Sequence, residues 1–95
     1  NHGHALPAEA GAMVDLLRVL LKAAAGRHGV APRLVADGED LERIATEDDP
    51  DVGALKGWRR ELFGEDALRL KRGELALGMH RGEVVVMPVG PQKRS

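Results

Sequence analysis

The 95-residue sequence contains no cysteine and no tyrosine, and only one tryptophan and one phenylalanine. Without cysteine the chain can form neither a disulfide framework nor a thiolate metal site, and this fits a reducing cytoplasm. No apolar run approaches the roughly 18 residues of a membrane-spanning helix, and no signal peptide is visible. We therefore expect a cytoplasmic chain without a membrane partner. Because it begins with Asn1 and not methionine, we expect a piece of a longer protein.

The residue patterns of common active sites are also missing. There is no P-loop, no dinucleotide-binding glycine fingerprint and no His/Cys spacing typical of zinc. His2 and His4 lie in a terminal stretch without fixed geometry for a metal. The acidic run 46–51 lacks the spacing and glycine of a calcium-binding loop, and helix capping explains it better. We therefore predict no catalytic residue, no metal site and no cofactor in this chain.

Charge is abundant but unevenly placed. The net charge is -1, yet residues 37–51 carry eight acidic groups and one basic group, whereas residues 52–95 carry nine basic and five acidic groups. Local patches, more than the total, set the electrostatic field that a partner meets. Two interpretations stay open: a solvated mixed surface, or a basic surface that binds an anionic partner.

Helical periodicity dominates the first half of the chain. Apolar residues recur at spacings of three and four from Ala8 onwards, and Gly29 is suited to end that helix. Pro32 favours extended backbone before it. Asp37, with Asp40 three residues later, predicts the cap of a short helix over 37–46. Pro50 is suited to begin a brief third helix that continues through Leu55.

The stretch 55–64 contains both large aromatic rings and is predicted to organise the core. On a helix, Trp58, Leu62 and Phe63 fall on the apolar side, and truncating Trp58 is expected to cost about 3–5 kcal/mol. Arg59 points into the same side, so we expect it to be partly buried and paired with an acid, for example from 37–51. The helix is predicted to continue to residue 71, with a bend at Gly57.

The periodicity then changes from helical to alternating. Leu75, Leu77 and Met79 alternate with smaller or polar residues, and residues 83–87 are rich in valine. These segments predict a hairpin of 74–79 and 83–88. Its turn is expected at Arg81 and Gly82, and one face should pack on the helices because an isolated hairpin is marginally stable.

Taken together, the patterns predict a mainly α fold: a small bundle of about four helices with a C-terminal β-hairpin packed on it. We place a linker at 1–12, a helical part at 13–73, the hairpin at 74–89 and a tail at 90–95.

Three motifs carry a resemblance to a known family. They are the leucine-rich run 16–22, the segment from His28 to Pro32, and the Gly-Trp-Arg-Arg-Glu-Leu-Phe-Gly run at 57–64. In this order they resemble an HRDC-type domain (helicase and RNase D C-terminal), and most of all the C-terminal part of bacterial ribonuclease D. The predicted hairpin departs from that family, whose common members carry another helix there.

The resemblance implies a compact accessory domain that binds nucleic acid. It also implies a parent enzyme that removes 3′ nucleotides from RNA, including tRNA precursors, with acidic residues and two divalent metal ions. Those acids belong to a separate exonuclease domain of the same chain and have no counterpart among these residues.

Three functions are carried forward. The first is RNA binding in support of that exonuclease, through phosphate contacts. The expected phosphate-binding cations are Lys56, Arg60, Arg69, Lys71, Arg72 and Arg81. The second is an interaction module, docking through the acidic segment 37–51, the basic helix or the hairpin edge. The third is the accessory domain of a RecQ-type helicase, which would bind DNA.

Overall fold

The structure, a computed structural model, describes residues 8–89. Four helices precede a two-stranded antiparallel hairpin, as the fold class predicted. The first three helices are α1 (Ala8–His28), α2 (Pro32–Val35) and α3 (Gly38–Thr46). A 3-10 turn, Gly53–Leu55, leads into helix α4, which covers 57–71. The strands are β1 (Leu75–His80) and β2 (Glu83–Pro88).

Helix α1 begins at Ala8, so residues 8–12 of the predicted linker are helical. Its last turn carries Arg27 and His28, where cations complement the helix dipole. Gly29 then adopts φ 70°, and the amide of Val30 donates to the carbonyl of Ala25 at 3.0 Å. This positive φ ends the helix as predicted. The remainder of the linker, with His2 and His4, and the tail 90–95 lie outside the described residues.

The core lies between α1, α3, α4 and the base of the hairpin. Phe63 is 0% exposed, and Leu17, Leu20, Leu41 and Ile44 are also fully buried. Each such side chain contributes about 1.5–3 kcal/mol through removal of apolar surface from water. Phe63 therefore anchors the core as the sequence predicted.

The segment after α1 is more helical than expected. Ala31 is extended, with φ -72° and ψ 135°, as its position before proline requires. Pro32 nevertheless begins one turn of helix, because proline suits the first helical position. Helix α3 starts with the predicted cap, where the Asp40 amide donates to the Asp37 carboxylate at 2.9 Å.

The predicted helix start at Pro50 is wrong. Val52 is extended, with φ -128° and ψ 153°, and buried, so the backbone is not helical at this point. Between Pro50 and Lys56, only Gly53–Leu55 are helical, and they form a single 3-10 turn.

Helix α4 contains a π-helical turn, Arg60–Gly64, in which the Glu65 amide donates to the Arg60 carbonyl five residues back. Gly64 is placed there by a close backbone approach. A Cβ atom at Gly64 would lie 2.6 Å from the carbonyl oxygen of Ala54. Glycine is therefore required for α4 to pack on the 3-10 turn.

The hairpin confirms the predicted change of period. Leu77 pairs with Val86, and both pack on the core together with Leu75. The connecting residues Arg81 and Gly82 have φ 54° and 82°. Positive φ at both central residues is typical of the two-residue hairpin turn whose twist matches the strands.

Candidate nucleic-acid interface

Trp58 is not in the core: its side chain is 47% exposed, which corrects the sequence prediction. The indole lies in the first turn of α4, beside His28 at the C-terminal end of α1. Since α1 ends at His28, the ring lies beside the last turn of that helix and is only partly covered. Leu62, one turn further along, is partly buried against the core as predicted.

Arg59 is partly buried, as expected, but its partner differs from the expected acid. Its Nε donates to the carbonyl oxygen of Leu34 at 2.8 Å. Its guanidinium also lies over the Trp58 ring, 4.6 Å from the centroid. Among residues 8–89 it forms no ion pair, so the prediction of an acidic partner is wrong. A carbonyl and a π face satisfy this guanidinium instead.

Two of the predicted phosphate-binding cations on the 55–64 stretch form ion pairs. Lys56 Nζ lies 2.5 Å from Asp51 Oδ1, and Arg60 Nε lies 2.6 Å from Glu65 Oε2. Arg60 Nη1 also donates to the carbonyl of Leu55 at 3.3 Å. A phosphate would have to displace these partners.

The cations at the end of α4 are also engaged. Arg69 Nε and Arg72 Nε lie 3.6 Å and 3.1 Å from the two carboxylate oxygens of Glu74. Lys71 Nζ donates to the backbone carbonyl of Glu47, which ties α4 to the end of α3. Lys56, Arg60 and Lys71 therefore each have a different partner. These partners are Asp51, Glu65 and the Glu47 carbonyl, respectively.

The acids in these pairs remain ionised near neutral pH. Hydrogen bonding from Lys56 lowers the pKa of Asp51, and hydrogen bonding from Arg60 lowers the pKa of Glu65. Hydrogen bonding from Arg72 likewise lowers the pKa of Glu74. Each carboxylate offsets the positive charge beside it, so these cations present a weaker field to an anion than the sequence suggested.

Other cations have no ion-pair or side-chain hydrogen-bond partner within residues 8–89. Arg81, at the tip of the hairpin, is one of the six predicted residues and is exposed. The others were not predicted. They are Arg18, Lys22, Arg27 and Arg33.

Lys22 and Arg27 share a groove between α1 and the start of β2, with a volume of about 580 Å³. We call it the α1–β2 groove. Val19, Ala23 and Val84 supply apolar lining, and Glu83 adds one carboxylate. Gly26, the other lining residue, leaves room between the two elements. With two cations and one acid, the lining carries a net charge of +1.

The sequence indicated the α1 side of this groove but not the β2 side. The helical period places Lys22 on the outer side of α1, opposite the apolar stripe. Nothing in the local sequence shows that the hairpin folds back beside that side. The groove depends on a contact between residues about 60 positions apart, which periodicity does not reveal.

Two further kinds of site are absent from residues 8–89. Within 8–89, no cluster of three or more His, Asp or Glu side chains is arranged to hold a metal ion. In the same range, no helix has the length and apolar character needed to cross a membrane.

Known proteins with sequences similar to this chain include several bacterial ribonuclease D enzymes. The chain is 53% identical over 79 residues to ribonuclease D of Granulibacter bethesdensis, a match that covers 83% of the chain and 20% of the relative. The sequence is similar to one segment of ribonuclease D. With the enzyme of Nitrobacter hamburgensis it shares 60% identity over 74 residues, covering 78% of the chain and 19% of the relative.

Ribonuclease D of Gluconacetobacter diazotrophicus is 50% identical over 82 residues, covering 86% of the chain and 21% of the relative. The chain thus spans about a fifth of the length of the curated ribonuclease D relatives it matches. No family model matches the sequence, and no solved structure matches it. The likeness to ribonuclease D is shown, whereas the HRDC type stays a prediction.

Proposed function

We propose that this chain is a non-catalytic RNA-binding accessory domain of a ribonuclease D-like 3′–5′ exoribonuclease. The observation that carries the proposal is the α1–β2 groove, where Lys22 and Arg27 lack acidic partners among the described residues. The ribonuclease D relatives support RNA as the anionic partner.

The groove offers the two kinds of contact that a nucleic-acid backbone requires. Lys22 and Arg27 are exposed and can donate hydrogen bonds to phosphate oxygens. Val19, Ala23 and Val84 can contact the ribose between successive phosphates. Such contacts position a strand without reading its sequence, so the domain would hold many RNAs, tRNA precursors included.

Arg81 extends this surface in the proposal. It lies in the turn directly before β2, two residues from Glu83. The five remaining predicted cations contribute less, since a phosphate must compete with the carboxylates or carbonyls that already hold them. Exposed ion pairs are worth only about 0–1 kcal/mol, so this competition weakens binding without preventing it.

The proposal divides the work between two parts of a cytoplasmic protein. The 3′ nucleotides would be removed by an exonuclease domain of the same chain, whose acidic residues would hold divalent metal ions. The residues described here would retain the RNA near that domain and increase its local concentration.

The test is an RNA titration of the chain at about 50 and 200 mM salt, where phosphate binding should weaken steeply. The double variant Lys22→Gln/Arg27→Gln removes the two groove cations. A matched control, Arg69→Gln/Arg72→Gln, removes two cations that pair with Glu74 and so makes the same change in net charge.

If the proposal is right, the groove variant binds RNA more weakly than the control. Its salt dependence should also be shallower, by about 0.7 in log–log slope for each lost single-strand contact. Equal weakening in both variants would show that total charge, and not the groove, determines binding.

Interdomain docking is the second candidate, and a specific observation favours it. Several large apolar side chains are exposed on residues 8–89, including Leu16 at 43% and Val19 at 40% on the outer side of α1. The relatives contain about four times as much chain again, which could cover this side. Self-association in a sedimentation experiment, together with no change in sedimentation when RNA is added, would favour docking. The same relatives favour ribonuclease D over the helicase interpretation.

A further inference from the structure

Trp58 is the only tryptophan in the chain, and its position is unusual for so large an apolar side chain. Almost half of its surface is open to solvent. The neighbouring Leu34 is also exposed. Exposing an indole forfeits much of the stability that its burial would provide. An exposed indole is therefore a candidate contact for a ligand.

The ring is held in place from one side. The Arg59 guanidinium lies 4.6 Å from the ring centroid, and the Arg59 Nε donates to the Leu34 carbonyl at 2.8 Å. This hydrogen bond ties the first turn of α4 to α2. Since the guanidinium is anchored, the indole has a fixed neighbour before any ligand arrives, and restricting the ring in advance lowers the entropy cost of binding.

Beside the ring is a cleft of about 380 Å³, lined by His28, Trp58, Glu61 and Leu62. We call it the Trp58 cleft. Its volume lies at the lower end of small-ligand sites, about 300–1,000 Å³, and suits one planar ring better than a protein segment. Leu62 offers an apolar contact, while His28 and Glu61 offer hydrogen-bonding groups to the edge of such a ring.

The cleft and the α1–β2 groove lie on different sides of the C-terminal end of α1. Arg27 lines the groove and His28 lines the cleft, and these are consecutive residues in the last turn of α1. Because successive residues are about 100° apart around a helix, a strand whose phosphates lie along Lys22 and Arg27 would reach the indole by bending around the end of α1. In single-stranded RNA the bases are free to turn out and stack on such rings.

We infer that the Trp58 cleft receives an unpaired nucleobase, stacked on the indole opposite or beside Arg59. The inference rests on the proposed RNA-binding function and adds a preference for single strands. Stacking on an aromatic side chain tolerates any base, because every base has a π face. The domain would then distinguish unpaired 3′ ends from duplex RNA without reading sequence.

The test exploits the single indole, because tryptophan fluorescence then reports on this cleft alone. The 95-residue chain is titrated with an oligoadenylate of about ten nucleotides, a length within the site sizes of single-strand binders. A matched abasic strand of equal length carries the same phosphates without bases. Duplex RNA of the same length is the third probe.

The expected result is quenching by the oligoadenylate and none by the abasic strand. The oligoadenylate should bind about tenfold more tightly than the abasic strand, since a stacked base is worth about 1–3 kcal/mol. These affinities, for the chain and for every variant, are measured by the fluorescence anisotropy of a dye attached to the strand, which does not depend on the indole. Trp58→Ala should remove this difference while leaving the salt dependence unchanged, and Trp58→Phe should retain part of it. Leu16→Ala, a truncation of an exposed apolar residue outside both sites, should retain it fully.

Two results would overturn the inference and leave the proposed function intact. One is salt-dependent binding of all three probes with equal affinity. The other is an unquenched indole in the RNA complex, which would mean that Trp58 serves another contact, such as docking of a neighbouring domain. Absence of binding by any probe would instead reject the proposed function together with the inference.

Circular dichroism of Trp58→Ala guards against a folding artefact. A variant that keeps the helical spectrum but loses the preference for bases supports the cleft. Loss of the preference only in variants that are unfolded would count against it, provided that Trp58→Phe is folded and binds both strands equally.

Discussion

Phe63 and Trp58 show how two rings five residues apart acquire different roles. Phe63, in α4, is fully buried against α1, whereas Trp58 is half exposed at the start of α4. Helical periodicity gives the direction of a side chain around the helix axis. It does not give the distance along that axis at which the neighbouring helix ends, and here α1 ends at His28.

We predict that Phe63→Ala lowers the free energy of unfolding by about 3–5 kcal/mol, the cost of removing a large buried ring. Trp58→Ala should cost less than about 2 kcal/mol, because much of its surface is already in water. Urea denaturation of both variants measures the difference. Equal losses would mean that the indole is more buried than the structure shows.

Gly64 provides a second prediction at this scale. Gly64→Ala should destabilise the protein by about 1–3 kcal/mol, since the added Cβ would approach the Ala54 carbonyl and the Leu55 side chain. Gly11→Ala in α1 is the matched control, because a Cβ there meets nothing within 4 Å. That variant should be neutral or more stable by up to about 1 kcal/mol. Thermal unfolding that ranks the two in the opposite order would contradict the close approach.

Glu83 is the acid of the α1–β2 groove, and its effect on RNA has a definite sign. Its carboxylate faces the same space as Lys22 and Arg27 and repels phosphate. Glu83→Gln should therefore strengthen RNA binding by a few-fold at low salt. The gain should diminish as salt screens the charge. A weaker complex would imply that Glu83 accepts a hydrogen bond from the RNA.

At the scale of elements, α1, α3 and the hairpin were predictable because each has a strong local signal. Alternating residues and the Arg81–Gly82 turn defined the strands, and Asp37 marked the start of α3. The single turn α2 and the π-helical turn in α4 were missed. Both depend on tertiary packing, such as the approach of Gly64 to Ala54, which no local pattern encodes.

The same limit applied to the candidate site. The sequence showed how many cations the C-terminal half carries, but not which acids lie beside them. Lys71 reaches the Glu47 carbonyl across 24 residues, and Lys56 pairs with Asp51 across a turn. Only the fold shows that these cations are occupied while Lys22 and Arg27 remain open.

Ion pairs between residues that are close in sequence predict a dependence of stability on acid pH. The pKa of Glu47, Glu65 and Glu74 is lowered in the folded chain, mainly by hydrogen bonds from Arg43, Arg60 and Arg72. Their contribution is therefore complete above the usual glutamate value of about 4.5 and is lost as pH falls through the lowered values.

The melting temperature should accordingly change little between about pH 7 and 5 and fall below about 4.5. Arg72→Gln removes the main partner of Glu74 and should make this fall shallower. Arg18→Gln, at a residue without an acidic partner among residues 8–89, is the control and should leave the profile unchanged. Identical profiles for both variants would show that the Glu74 pair does not stabilise the fold.

At the scale of the whole molecule, the chain combines a small helical core with one open face. The core is closed by α1, α3 and α4, and α1 contacts β2 of the hairpin beside the groove. The groove and the Trp58 cleft are lined by consecutive residues, Arg27 and His28, at the end of α1. One strand of RNA that bends around this end of α1 would contact both.

The most direct test of this account is a titration of the isotope-labelled chain with single-stranded RNA, followed by amide chemical shifts in nuclear magnetic resonance spectra. The account predicts that the largest shifts fall on residues 19–28 and 83–84, which line the groove and adjoin the cleft. Shifts concentrated instead on residues 69–74, with the groove unchanged, would contradict it.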